Sequence, residues 1–202
     1  QVHFDQTDDT GSIGGFVTEG PSLTDNPFRL PRDIAPTHYD IRLELDLETF
    51  TFHGSVGIDV DIVEDTNSLV LNAAELEIKS ATLSNGVEIA EIAYDDDMER
   101  ATLSLGTTLE PGTYRLDIEH TGIINDQLRG LYRSLYRDAE GVEHPLATSQ
   151  CQSTDARRIF PCWDEPDFKA TYQTTMVVAE GLEAYSNTAE IERVSLDDGR
   201  VE

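Results

Sequence analysis

The fold class is decided by the stretch Tyr39-Asp40-Ile41-Arg42-Leu43-Glu44-Leu45-Asp46-Leu47, in which apolar and charged residues alternate strictly. Successive side chains of a β-strand point to opposite faces, so this stretch has one apolar and one charged face. The alternation returns between Val56 and Ile62, where Asp59 and Asp61 stand between apolar residues. Both stretches therefore predict strands that bury one face.

Outside these two strands, further segments are rich in apolar and β-branched residues and are bounded by turn signals. They comprise residues 68–71, 76–83, 101–105, 113–121, 130–136, 146–152 and 170–178. Short strands at this spacing predict an all-β fold, either an antiparallel β-sandwich or a saddle-like antiparallel arrangement. One helix is predicted over residues 154–158, capped by Ser153 or Thr154 and limited by Pro161.

Composition divides the chain into two parts. Residues 1–27 are rich in Gly, Asp, Thr and Ser and poor in apolar residues, which predicts a flexible lead-in. Residues 28–202 form the predicted β domain. Because the chain begins with Gln1 rather than Met and stops just after the turn signal at Gly199, we interpret it as a piece of a longer protein.

Charge and cysteine content restrict the class of partner and the cellular compartment. The chain has 40 acidic and 14 basic side chains, which give a formal net charge of -26. This charge disfavours binding to nucleic acid or to anionic membranes, and no run has the length of a membrane-spanning helix. The acid excess fits either adaptation to salt or an ordinary solvated surface. Cys151 and Cys162 are too few for a disulfide framework and predict reduced, buried thiols in the cytoplasm.

Two glutamines lie on the predicted strand over residues 146–152. Alternation places Gln150 and Gln152 on one face, and the opposite face holds residues small enough for close interior packing, namely Ala147, Ser149 and Cys151. Each amide carbonyl accepts a hydrogen bond, for example from an ammonium group, and each NH2 donates one. The spacing alone leaves two interpretations open, a substrate contact or a solvated polar face.

The residues that follow the glutamines combine charge with proline and aromatic residues. Arginine and carboxylate groups form directional pairs that pin a loop, while Phe160 and the flanking Pro161 and Pro166 stiffen it. We predict a structural clamp that fixes the glutamine strand, made of Asp155, Arg157, Arg158, Trp163, Asp164 and Glu165. A catalytic carboxylate pair at Asp164 and Glu165 is disfavoured because adjacent side chains usually point apart.

The chain shows no complete active site. The histidines stand singly, without the spacing of metal ligands, at His3, His38, His53, His120 and His144. The zinc-protease motif H-E-x-x-H, the nucleophile motif G-x-S-x-G and Gly-rich phosphate loops are all missing from the sequence. The residues therefore predict neither a catalytic group nor a bound metal in this chain.

The segment Thr154-Asp155-Ala156-Arg157-Arg158-Ile159-Phe160-Pro161-Cys162-Trp163-Asp164-Glu165-Pro166, here called the signature segment, resembles the N-terminal domain of the aminopeptidase N family of zinc metallopeptidases. It is most similar to the puromycin-sensitive aminopeptidases. Other stretches agree in the same order: Arg29-Leu30-Pro31-Arg32-Asp33-Ile34-Ala35-Pro36-Thr37-His38-Tyr39-Asp40, Phe50-Thr51-Phe52-His53-Gly54 and Gly130-Leu131-Tyr132-Arg133-Ser134.

The resemblance implies a β-sandwich or saddle domain followed by a thermolysin-like catalytic domain that binds zinc through H-E-x-x-H and a downstream Glu. This chain contains none of those residues. The resemblance therefore implies that zinc is bound only in the full-length enzyme and that this chain by itself is inactive. It also implies that Gln150 and Gln152 hold the free α-amino group of a peptide substrate. Many puromycin-sensitive members have Glu where this chain has Gln152. The implied partners are peptides with a free N-terminus and the downstream catalytic domain.

Two alternatives remain open from the sequence. One is a non-catalytic β-sandwich that serves as a binding or interaction domain. The other is a member of the leukotriene-hydrolase branch, because that branch also carries a Ser-Gln-Cys-Gln stretch like residues 149–152. The puromycin-sensitive group fits the signature segment better.

Overall fold

A computed structural model describes residues 26–84 and 86–202. Within these residues the regular structure is almost entirely β, which confirms the predicted fold class. The strands are β1 Ile34–Asp46, β2 Thr51–Ile62, β3 Thr66–Asn72, β4 Leu76–Leu83, β5 Ile89–Asp95, β6 Arg100–Leu109, β7 Gly112–Ile123, β8 Gly130–Arg137, β9 Glu143–Gln150, β10 Thr171–Ala179 and β11 Arg200–Val201. A 3-10 helix covers Ala156–Arg158.

The described strands form three sheets. A six-stranded sheet has the order β11-β10-β1-β2-β7-β4, a three-stranded sheet has the order β3-β6-β5, and β8 pairs with β9. All pairs are antiparallel except β1 with β10, in which His38 lies opposite Thr171. This parallel pair departs from the purely antiparallel expectation. Parallel strands require a long crossover, and here the whole chain between the two strands provides it.

The alternation that predicted β1 and β2 places their apolar residues in the core. Tyr39, Ile41 and Leu43 are buried, whereas Asp40 and Arg42 between them are not. The three-stranded sheet adds its own apolar face to the same hydrophobic cluster, chiefly through Leu69, Leu71, Ala101 and Leu103. Two sheets that share one core confirm the β-sandwich.

Two strands, β5 and β11, lack the alternation of buried and exposed residues that predicted the other strands. None of the residues of β5 is buried, so this strand has no apolar face to produce a period of two. The two residues of β11 are too few for any period and pair with Val178 and Ala179 at the end of β10. Partner strands, rather than local pattern, determine both elements.

The predicted helix is shorter than expected. Only Ala156–Arg158 is helical, and Asp155 rather than Ser153 or Thr154 occupies the position before it. No side chain caps the helix, because the Asp155 carboxylate accepts a hydrogen bond from Arg158 Nε at 2.9 Å. The predicted lead-in, residues 1–27, lies outside the described residues apart from Asn26 and Pro27, and the domain start at residue 28 stays a prediction.

Candidate functional site

Gln150 is the last residue of the hairpin formed by β8 and β9. It lies opposite Gly130, the first residue of β8, in the two-stranded sheet. This sheet is hydrogen-bonded to neither of the two sheets that form the sandwich. The side chain of Gln150 is exposed at the base of the hairpin, although Gly130 and Leu131 of the same sheet are buried.

Gln152 does not share a strand with Gln150, so the prediction of a common strand face is wrong. The strand ends at Gln150 because the Cys151 carbonyl accepts a hydrogen bond from Asp155 N at 2.9 Å, which turns the chain toward the 3-10 helix. The two glutamines nevertheless stay together, because Gln150 Nε2 donates to the Gln152 carbonyl oxygen at 3.4 Å. The peptide bond after Gln152 is cis.

Both glutamine side chains remain available to a ligand. Gln150 and Gln152 are exposed, and among the described residues the side-chain amide of Gln152 has no hydrogen-bond partner. Each amide can still accept through its carbonyl oxygen. The arrangement therefore offers two neutral acceptors side by side on a short turn.

The two cysteines differ in burial, which corrects the prediction that both are buried. Cys162 is buried and Cys151 is exposed, and both thiols are free. Burial raises the pKa of the Cys162 thiol well above its ordinary value. Cys151 follows the end of β9 and lies in the exposed stretch over residues 149–154.

Arg157 is bound on one side to Asp164 and on the other to Glu99. Its Nε donates to Asp164 Oδ2 at 3.0 Å, its Nη2 donates to the Asp164 carbonyl at 3.2 Å, and its Nη1 lies 3.3 Å from Glu99 Oε2. The Arg157 carbonyl accepts from Ala74 N at 3.0 Å. One residue thereby joins the signature segment to the loops after β3 and before β6.

Arg158 is the most deeply buried charged side chain of the signature segment, with a side-chain exposure of 6%. Its guanidinium contacts three carboxylates: Asp155 at 2.9 Å, Glu75 at 2.6 Å, and Glu99 through a short contact. A buried guanidinium needs this kind of charge and hydrogen-bond compensation, because removing it from water is costly.

The rest of the segment contacts the first strands of the sandwich. Trp163 N donates to the Tyr39 hydroxyl at 3.1 Å, and Asp164 N donates to Asn72 Oδ1 at 3.2 Å. Cys162 and Asn72 exchange two backbone hydrogen bonds, at 2.8 and 3.0 Å. The segment is thus anchored to β1 and to the end of β3.

Glu165 holds the residues that precede β1. It accepts hydrogen bonds from Leu30 N at 2.6 Å, from Arg29 Nη1 at 3.0 Å and from Arg32 Nη2 at 2.6 Å. Asp164 and Glu165, although adjacent, therefore bind different partners. Neither carboxylate is directed at the other as a catalytic pair would be.

The described residues do not fit a zinc site. In residues 26–84 and 86–202 no three side chains of His, Cys, Asp or Glu are grouped so that they could hold a metal ion. The zinc that the family resemblance implies would need residues other than these. In the same described part of the chain, no helix is long and apolar enough to cross a membrane.

The sequence reasoning missed several residues that hold the site, notably Glu75, Glu99 and Asn72. It also missed His120 of β7, whose side chain is fully buried and whose Nε2 lies 3.0 Å from the Ile159 carbonyl oxygen. The sequence held one signal for this contact, namely Gly54, a glycine inside β2. In the structure Gly54 lies opposite His120. An isolated glycine inside a strand often marks a close approach of another group.

The sequence matches the N-terminal domain of a peptidase family and several curated relatives. Residues 35–202 match the family model described as "Peptidase M1 N-terminal domain". The chain is 40% identical over 194 residues to the "Puromycin-sensitive aminopeptidase" of Caenorhabditis elegans, which covers 94% of this chain and 20% of that protein. It is 40% identical over 166 residues to "Aminopeptidase M1" of Arabidopsis thaliana, covering 79% and 19%.

A third relative is the "Alanine/arginine aminopeptidase" of Saccharomyces cerevisiae, 41% identical over 163 residues, with 78% of this chain and 19% of that protein covered. The chain therefore spans about a fifth of the length of these curated relatives.

Proposed function

This chain belongs to the peptidase M1 family, as its signature segment predicted, and from that premise we propose that it is the substrate-anchoring N-terminal domain of a zinc-dependent aminopeptidase. The full-length enzyme would release N-terminal amino acids from peptides, and this chain alone would be inactive. The observation that carries the proposal is the pair of exposed amides, Gln150 and Gln152, on a turn beside a partly buried ion-pair network centred on Arg158.

The two amides suit a free amino terminus. An α-ammonium group has donors only, and two neighbouring amide carbonyls accept from it without requiring it to lose its charge. Holding the amine end of a peptide at a fixed place limits cleavage to the bond after the first residue. The neutral Gln152 forms a weaker bond to the ammonium than a carboxylate would, because charge-assisted hydrogen bonds are stronger.

The predicted clamp would support these amides. Asp155, Arg157 and Arg158 lie directly after the glutamine turn, and Trp163, Asp164 and Glu165 connect the segment to β1, β3 and the residues before β1. A turn whose backbone is held in place by ion pairs loses less conformational freedom when a ligand binds to it. Preorganisation is therefore the role that we assign to the clamp.

Zinc would be bound by residues of a downstream catalytic domain, where it would polarise the scissile carbonyl and activate water. The residues of this chain would bind and orient the amine end of the substrate and take no part in proton transfer. The proposed partners are peptides with a free N-terminus and that catalytic domain, and the proposed location is the cytoplasm.

The test is an assay of the full-length protein beside the 202-residue chain, on alanyl and leucyl chromogenic amides, with and without a zinc chelator. We expect chelator-sensitive activity in the full-length protein and none in the chain. Gln150→Ala and Gln152→Ala should raise KM, whereas Gln173→Ala, at an exposed strand position of β10, should not. A folded, zinc-loaded protein without activity would leave a non-catalytic interaction domain as the better account.

A further inference from the structure

Two glutamates that bind Arg158 have an unusual backbone conformation. Glu75 has φ 57° and Glu99 has φ 52°, in the left-handed region that residues with a Cβ rarely adopt. Such a conformation is unfavourable for a residue with a Cβ and persists only where the surroundings fix it. Here the fixing contact is shared, because both carboxylates end on the guanidinium of Arg158.

Arg158 in turn touches the residue that faces Gln150. Gly130 has φ 59°, and a Cβ on it would lie 2.7 Å from Arg158 Cβ. Gly130 is the cross-strand partner of Gln150. The backbone of the hairpin can approach Arg158 this closely only because residue 130 has no side chain.

Glu75 also reaches the hairpin directly. Its Oε1 accepts from Arg129 Nη2 at 3.2 Å, and Arg129 immediately precedes β8. Glu99 makes its second contact on the other side of the network, with Arg157 at 3.3 Å. One glutamate therefore connects Arg158 to the start of the hairpin, and the other connects it to the signature segment.

We propose that Glu75 and Glu99 are positioning residues for the substrate amine: they fix Arg158, Arg158 fixes Gly130, and Gly130 fixes the backbone of Gln150. This inference rests on the proposed function of the glutamine pair. Neither glutamate touches the substrate. Their charge and their left-handed backbone, just before β4 and β6, hold Arg158 in place and thereby set where the first acceptor lies.

The test uses Glu75→Gln and Glu99→Gln in the full-length protein, since glutamine keeps the shape of the side chain and removes its charge. We expect KM for a leucyl chromogenic amide to rise about three- to tenfold while kcat stays within about twofold. Competitive inhibition by leucinamide should weaken by the same factor, and inhibition by 4-methylpentanamide, which lacks the amine, should not. Glu143→Gln is the matched control, because Glu143 is an exposed, ion-paired residue of the same hairpin.

A second measurement does not depend on activity. Hydrogen exchange of peptides covering residues 130–137 and 143–150, followed by mass spectrometry, should be faster in Glu75→Gln and Glu99→Gln than in the parent and the control. Unchanged hydrogen exchange in the variants would overturn the positioning role. So would a decrease in kcat accompanied by equally weakened inhibition by leucinamide and by 4-methylpentanamide. An inactive parent with faster exchange in the variants would overturn the aminopeptidase assignment and retain the link from the glutamates to Gln150.

Discussion

His120 Nε2 lies 3.0 Å from the carbonyl oxygen of Ile159, so a fully buried histidine of β7 is joined directly to the signature segment. The neutral ring donates through Nε2, and its buried Nδ1 has no hydrogen-bond partner among the described residues. Burial, with a smaller effect from His53, lowers the pKa of His120 to about 4. The histidine therefore stays neutral in the folded protein at neutral pH.

The lowered pKa of His120 predicts a loss of stability in mild acid. Below pH 6.5, the ordinary pKa, the unfolded chain gains a proton that the folded protein does not accept until about pH 4. The free energy of unfolding therefore decreases as the pH falls from 6.5 to about 4, by about 3 kcal/mol in total. Urea unfolding between pH 7.5 and pH 4.5 measures the effect as a falling free energy of unfolding.

The control for this prediction is a pair of histidine variants. His120→Gln should flatten the dependence on pH between 6.5 and 4.5, because it removes the titrating group and leaves an amide that can donate to Ile159. His53→Gln should leave the dependence in place, because that side chain is about half exposed. A parent protein whose free energy of unfolding is constant over this range would contradict the assignment.

The close approach of Gly54 to His120 predicts that a side chain at residue 54 destabilises the fold, whereas one at residue 106 does not. A Cβ on Gly54 would lie 2.4 Å from His120 Nε2, and the His120 side chain is fully buried. Gly54→Ala should lower the free energy of unfolding by about 1–3 kcal/mol, as overpacking does. Gly106→Ala, with its nearest atom at 3.6 Å, serves as control and should change it by less than about 0.5 kcal/mol. Equal losses in the two variants would show that the contact with His120 is not the cause.

Burial separates the arginine pairs that matter for stability from those that do not. Arg157→Ala would remove the guanidinium that binds Asp164 and one of the two that bind Glu99, in a partly buried site, and we expect the free energy of unfolding by heat or urea to fall by about 3 kcal/mol. Arg193→Ala removes an exposed arginine that is paired with two exposed glutamates, and the loss should be much smaller than for Arg157→Ala, because water and salt screen exposed pairs. Similar losses for the two variants would mean that Arg157 stabilises the fold no more than a surface pair.

Placing a carboxylate at residue 152, the second proposed contact to the substrate amine, should tighten amine binding in the full-length protein. Gln152→Glu is expected to lower KM for a free-amine amide substrate by about three- to tenfold, because a carboxylate forms a charge-assisted bond with the ammonium group. Gln173→Glu adds the same charge at an exposed position of β10 and should leave KM unchanged. If both variants lower KM alike, the gain comes from the general field rather than from the anchor.

The exposure of Cys151 predicts one accessible thiol per chain. A disulfide reagent should label one cysteine in the folded chain and two in denaturant, and Cys151→Ser should abolish the native labelling. Partial desolvation and the carboxylates of Asp164 and Asp155 raise the pKa of Cys151, so labelling should be slow at neutral pH and accelerate as the pH rises. Labelling of both thiols without denaturant would contradict the burial of Cys162.

The sequence alone determined the strands whose residues bury one face. Tyr39, Ile41 and Leu43 alternate with charged residues. The folded sheet keeps this period of two, because successive side chains of a strand point alternately into the core and away from it. The ordered motifs likewise identified the family, since the signature segment needs no knowledge of the fold to be matched. Both kinds of signal are local in the chain.

Only the tertiary structure decided what holds the candidate site. Arg158 meets Glu75 across 83 positions of sequence and Glu99 across 59, and no periodicity links residues so far apart. The tertiary structure also decided that β9 ends at Gln150. The Cys151 carbonyl bonds to Asp155 N in a turn, so Cys151 leaves the strand although the alternation of polar and small residues continues to residue 152. Ion pairs between distant loops depend on which loops the sandwich brings together, and that is a property of strand order rather than of any single stretch of sequence.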